Sequence, residues 1–114
     1  MVALAAGAVV LVPFPFSDLS QAKLRPALTL ADAGRGDRVL CQITSNPYGD
    51  TRAIMLDNDS FATGSLRVIS YARPGKLFTA HYRLIAAQVG SLKAEVFNQL
   101  IEAVINLLRG SRRP

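Results

Sequence analysis

Arg25 and Thr44 are the residues whose types and spacing lend themselves to chemistry. Between them, the run 32–37 carries Gly34 and Gly36 and reads as a hairpin connection. On the first flanking strand, alternation sends Leu28 and Leu30 to one face and Arg25, Ala27 and Thr29 to the other. On the second, Val39, Cys41 and Ile43 form the apolar set and leave Gln42 and Thr44 opposite. A turn centred between Gly34 and Arg35 sets Arg25 across from Thr44 and Ala27 across from Gln42, with Cβ atoms roughly 4.5 to 5.5 Å apart. A one-residue slip would oppose Arg25 to Ile43 or Ser45 instead. A guanidinium can grip two phosphate oxygens and keeps its charge at every usable pH, which suits it to a phosphorane-like transition state and makes it a poor general base. Pro26 holds Arg25 toward extended backbone and so restricts where the guanidinium points. The competing reading of Arg25 is a strand-end ion pair, with Asp18 as the partner.

Thr44, Ser45 and Asn46 end the second strand as a polar cluster, followed by Pro47-Tyr48-Gly49-Asp50. Their hydroxyls and amide could hold a phosphate or a base edge, although these residue types also mark turns wherever they occur. His81 is the only histidine, which excludes a two-histidine acid/base pair within one chain. Asp57, Asn58 and Asp59 lack the Gly and the distal Glu of a calcium loop. No phosphate-binding Gly-rich motif, nucleophile elbow or zincin motif is present. Cys41 is the lone cysteine, without metal-ligand neighbours, so neither a disulfide framework nor a zinc site is expected. A reducing, cytoplasmic setting fits, and no metal or cofactor is expected.

The formal net charge of +5 favours a polyanion or an acidic protein as partner. Its distribution says more: Arg67, Arg73, Lys76, Arg83 and Lys93 follow one another with no acid between Asp59 and Glu95. That stretch reads either as a binding surface or as a solvated basic face.

The elements that must position these groups are short. Apolar runs bounded by Gly, Pro, Asn or Asp predict strands over 8–14, 25–31, 38–44, 52–56, 66–71, 76–80 and 84–90, and such spacing points to a small barrel or strongly curved sheet. From Leu92 to Arg109 the apolar residues recur at helical spacing, with Ser91 as N-cap and Gly110 as the stop. The segment 57–63 has room for one short helical turn. Met1 to Val12 is apolar but lacks a basic leader and runs into Pro13, too short to span a membrane and a poor secretory signal. It reads as a disordered tip followed by a strand. With no repeat, linker or low-complexity tract, the 114 residues read as one domain, mainly β with a C-terminal α-helix.

In order along the chain, Gly7-Ala8-Val9-Val10-Leu11-Val12-Pro13-Phe14, Gln21-Ala22-Lys23-Leu24-Arg25-Pro26-Ala27-Leu28, Cys41-Gln42-Ile43-Thr44-Ser45, the basic stretch Ser70 to Thr79 and the closing helix resemble the MazF/PemK toxins of toxin–antitoxin systems. The resemblance covers nearly the whole chain. It implies an SH3-like barrel, a homodimer, and a cognate antitoxin whose acidic or apolar tail blocks the RNA groove. It also implies a metal-independent endoribonuclease for single-stranded RNA, in which the substrate's 2′-hydroxyl attacks the adjacent phosphate and leaves a cyclic phosphate and a 5′-hydroxyl.

On that pattern Arg25 would stabilise developing charge and could protonate the leaving oxygen, while Thr44 would orient the phosphate or assist proton transfer. Ser20 and Gln21, in the loop beside the site, together with Gln42, Ser45 and Asn46, would contact substrate, and Tyr48 or Tyr71 could stack on a base. Arg73 and Lys76 would serve the RNA backbone, so that affinity falls as salt rises. The chain departs from the family pattern in carrying Ala8 where an acid is usual and Ser20 where many members have Glu, and no acid neighbours Arg73 along the chain. Two other readings remain: a CcdB-like toxin of related fold that binds DNA gyrase, which the Arg25-Pro26 and Thr44-Ser45 blocks argue against, and a non-catalytic RNA-binding domain.

Overall fold

A computed structural model describes residues 5–14 and 23–110; the N-terminal tip, Asp18, Ser20 and Gln21 fall outside them. Among the described residues, seven strands follow in chain order: β1 Ala8–Phe14, β2 Lys23–Gly34, β3 Asp37–Thr44, β4 Ile54–Leu56, β5 Phe61–Gly64, β6 Ser70–His81 and β7 Ala87–Leu92, then the helix α1, Ala94–Leu108. They form one antiparallel sheet in the order β4-β6-β3-β2-β1-β7-β5. The sheet curls far enough that Leu56 of one edge strand and Phe61 of the other share a core, giving the nearly closed small barrel expected from the sequence.

The uninterrupted apolar run of β1 has its explanation here. Val9 faces the main core with Leu28, Cys41, Ile43 and Ala72, while Ala8, Val10 and Val12 face a second cluster with Ala27, Leu40 and Ala80. A strand covered on both faces has no reason to alternate. Onto the main core α1 lays Leu100 and Val104, with Val96, Phe97 and Ile101 packed alongside. Leu28, Leu40, Leu56 and Leu100 are each fully buried, and a leucine so placed contributes about 1.5 to 3 kcal/mol.

Several boundaries differ from the sequence expectation. Ser91 is not the helix cap: Ser91 and Leu92 pair with Thr63 and Phe61 in the sheet, the Ser91 hydroxyl meets Thr63 Oγ1 at 2.8 Å, and Lys93 holds the cap position without a side-chain bond. The stop does fall at Gly110, whose φ of +69° and bond to the Leu107 carbonyl close the helix. The expected helical turn is the single 3₁₀ turn Asn58–Ser60, capped by the Asp57 carboxylate, but the next residues form β5. The strand expected over 66–71 starts only at Ser70; Val68 and Ile69 are apolar yet exposed. From there β6 runs unbroken through the segment expected as two strands, because a bulge absorbs Pro74. Among the described residues, no helix is long and apolar enough to cross a membrane.

Candidate functional site

The β2–β3 hairpin sets the register on which the site depends. Its turn is Arg35-Gly36, both with positive φ, closing on Gly34 and Asp37, one residue later than expected. Two irregularities in β2, at Thr29/Ala31 and Asp32/Gly34, then take up the difference, and from Thr29 onward the pairs are Thr29–Leu40, Leu28–Cys41 and Ala27–Gln42. Pairing between the strands ends at Ala27–Gln42; Arg25 and Thr44 lie two residues further on, each on the face of its paired neighbour. Arg25 is exposed, opposite Val12 of β1, and no ion pair among the described residues holds it.

Thr44 closes β3 and pairs with Tyr71 of β6. Its hydroxyl is engaged within its own turn, accepting from the Asn46 amide at 3.2 Å and donating to the Asn46 carbonyl at 3.1 Å. To donate to a phosphate oxygen it must rotate off that carbonyl. Ser45 and Asn46 are exposed, and the Asn46 side chain accepts from the Tyr48 amide at 2.9 Å. The turn reading of this cluster and the binding reading therefore apply to the same atoms.

Between Cys41–Leu77 and Ile43–Ala72 the β3–β6 ladder skips, so the stretch Arg73-Pro74-Gly75-Lys76 bulges opposite Gln42 alone. Pro74 is buried there, as a bulge permits. Gln42, Thr44, Arg73 and Lys76 are thereby gathered at one end of β3 and β6. Gln42 Oε1 is buried and unpartnered among the described residues. The Cys41 thiol, on the opposite face, donates to the Arg73 carbonyl at 3.1 Å; burial pushes its pKa up to about 12, so it stays protonated.

What the sequence reading missed is the partner of Arg73. No acid lies near it along the chain, but Asp50 reaches it from the loop after β3, with Nε to Oδ2 at 3.0 Å and both side chains largely covered. Arg73 is thus a neutralised cation, while Lys76 stands exposed. The guanidinium also lies 5.7 Å from the centre of the Tyr48 ring. The one signal in the sequence was the turn Pro47 to Asp50, which returns the chain toward β6.

Burial alone would raise the Asp50 pKa, but the Arg73 hydrogen bond, the Arg52 amide and the two guanidinium charges outweigh it and hold the carboxyl below its ordinary 3.8. A lowered folded-state pKa stabilises above the unfolded value, and the contribution is lost as pH falls through the folded one. Asp50→Asn should therefore lower the stability near neutral pH, by roughly the 1.5 to 3 kcal/mol of a hydrogen bond to a charged group, and with it the melting temperature. The gap from the parent should close as pH falls below about 4. Melting curves from pH 7 to pH 2.5 check this, and a gap independent of pH would exclude the ion pair as its cause.

A small curved barrel, closed by one amphipathic helix and carrying a polar, partly basic end on its central strands, is the class that fold and site define. No family model matches the sequence, and a search of curated proteins finds no match. Solved structures do. MazF of Deinococcus radiodurans superposes with a TM-score of 0.74 at 23% identity, covering 96% of this chain and 99% of that one. The toxin MazF-mt6 of Mycobacterium tuberculosis gives 0.70 at 19% identity over 90% and 96% of the two chains. An endoribonuclease solved with its cognate antitoxin from a mycobacterial species gives 0.70 at 15% identity, over the whole of both. The fold of this chain is the MazF fold, as the resemblance in the sequence implied.

Proposed function

We propose that the chain is the toxin of a toxin–antitoxin pair, a metal-independent endoribonuclease acting on single-stranded RNA in the cytoplasm. The observation that carries this reading is the Ala27–Gln42 pairing, which brings the family-like Arg25-Pro26 and Thr44-Ser45 blocks to the same end of one hairpin in a MazF fold.

The substrate supplies its own nucleophile. Its 2′-hydroxyl gives its proton to solvent water as the 2′-oxygen bonds to the adjacent phosphorus and the bond to the 5′-oxygen breaks, leaving a 2′,3′-cyclic phosphate. Arg25 neutralises the charge growing on the non-bridging oxygens, and its guanidinium is the candidate donor of the proton that the departing 5′-oxygen takes up, a proton it regains at once from solvent. Thr44, once turned from the Asn46 carbonyl, holds a non-bridging oxygen. Gln42, Ser45 and Asn46 contact the flanking nucleotides, and Lys76 adds the salt-sensitive attraction to the backbone. The loop holding Ser20 and Gln21 completes the substrate-binding set in this reading. The functional unit is a homodimer, silenced by a cognate antitoxin.

A single 2′-deoxy substitution at the cut position tests the chemistry. Cleavage should stop there and persist at all-ribose sites; cleavage that survives the substitution would mean that the nucleophile is not the 2′-hydroxyl.

A further inference from the structure

Tyr48 is a large aromatic side chain that is 70% exposed, so its ring is not held in place by the core. Its placement is nevertheless tightly specified. Tyr48 and Gly49 both have positive φ, +55° and +75°, and Asp50 donates its amide to the Pro47 carbonyl at 2.9 Å, the pattern of a primed turn. Such a position favours Asn or Gly, and a ring this exposed brings no core packing that offsets the unfavourable backbone. The turn is tied to Thr44 by a chain of bonds: Thr44 Oγ1 with the Asn46 backbone, then Asn46 Oδ1 with the Tyr48 amide. The ring is also approached by Arg73, whose guanidinium lies 5.7 Å from its centre and is itself fixed by Asp50. Tyr71, by contrast, is half-buried between Thr44 and Met55 as their strand partner.

From this we infer that the Tyr48 ring is a stacking platform for one unpaired RNA base beside Thr44, with the Asp50–Arg73 pair as its support. An aromatic face held in advance stacks a base without ordering a flexible side chain, and bases splayed from single strands are bound in this way. The inference rests on the proposed RNA-cleaving function and deepens it by naming a residue that positions substrate.

The test compares the parent with Tyr48→Asn, which suits the left-handed backbone but removes the ring, and with Tyr48→Phe, which keeps the ring. Steady-state cleavage is measured on a single-stranded RNA of defined sequence and on a set in which each nucleotide near the cut is made abasic in turn. Expected for Tyr48→Asn are an unchanged or higher melting temperature and a KM raised roughly tenfold. Tyr48→Phe should keep the parent's KM. At one abasic position the parent should lose that same factor while Tyr48→Asn loses nothing further. Equal KM for the parent and Tyr48→Asn, or a penalty spread evenly over every abasic position, would overturn the platform while leaving the ribonuclease intact. A folded parent that neither binds nor cuts the RNA would overturn both.

Discussion

Arg25→Ala is expected to abolish measurable RNA cleavage while leaving the protein folded. Removing one preorganised group that stabilises developing charge costs about 10² to 10³ in rate in other active sites, and a cation lost from a phosphoryl centre belongs at the upper end. The fold should not register the change. Arg25 is exposed, its Cα neighbour in the sheet is Val12, and no ion pair among the described residues depends on it, so the stability change should stay within about 0.5 kcal/mol. Arg25→Lys separates charge from geometry. It keeps the charge but not the two-pronged grip, and should recover only part of the rate. Single-turnover cleavage and thermal melting on the same samples check both halves. Should Arg25→Lys restore the full rate, simple charge rather than a shaped grip would be the arginine's contribution.

The second large effect falls on folding. Gly64 ends β5 at a φ of +66°, and a Cβ placed there would overlap the Val89 carbonyl oxygen and lie 2.6 Å from the Gly90 Cα. Both obstacles are backbone, which cannot rotate aside as a side chain can. Gly64→Ala therefore combines a left-handed penalty of about 1 to 2 kcal/mol with overpacking of about 1 to 3 kcal/mol. A total of about 2 to 5 kcal/mol is a large share of the stability of a small domain. Gly34→Ala is the matched control: φ is +91° but nothing lies within 4 Å of the added carbon, so only the backbone penalty applies. Denaturant unfolding of the two variants should differ by the overpacking part, and equal losses would mean that β5 can shift away from β7 at little cost.

The hairpin shows how much could be read in advance and why. The Ala27–Gln42 pairing was read from alternation, which excludes the one-residue slips that would take Leu28, Cys41 or Ile43 out of the core, together with a turn set between Gly34 and Arg35. The turn position did not follow. Two bulges in β2 lengthen one arm of the hairpin, and bulges answer to the curvature of the closed sheet rather than to any local residue pattern. Elsewhere, β5 escaped notice because Ala62, Thr63 and Gly64 show no alternation to read and take their strand conformation from pairing with β7. Val68 and Ile69 misled in the other direction, being apolar but exposed. The Asp50–Arg73 contact joins residues 23 apart through a loop and a bulge, and no spacing rule reaches that far. Ser20 and Gln21 lie outside the described residues, so their part in the site stays a proposal from the sequence.

The proposed ribonuclease cuts RNA with the groups gathered at the end of this hairpin. The most direct test incubates the purified protein, beside Arg25→Ala, with a defined single-stranded RNA rich in sequence contexts, in the presence of EDTA, and maps the product ends. Cuts by the parent alone are expected, at a limited set of sequences, with 5′-hydroxyl and cyclic phosphate ends. An RNA left intact by the folded parent, or cut equally by Arg25→Ala, would contradict it.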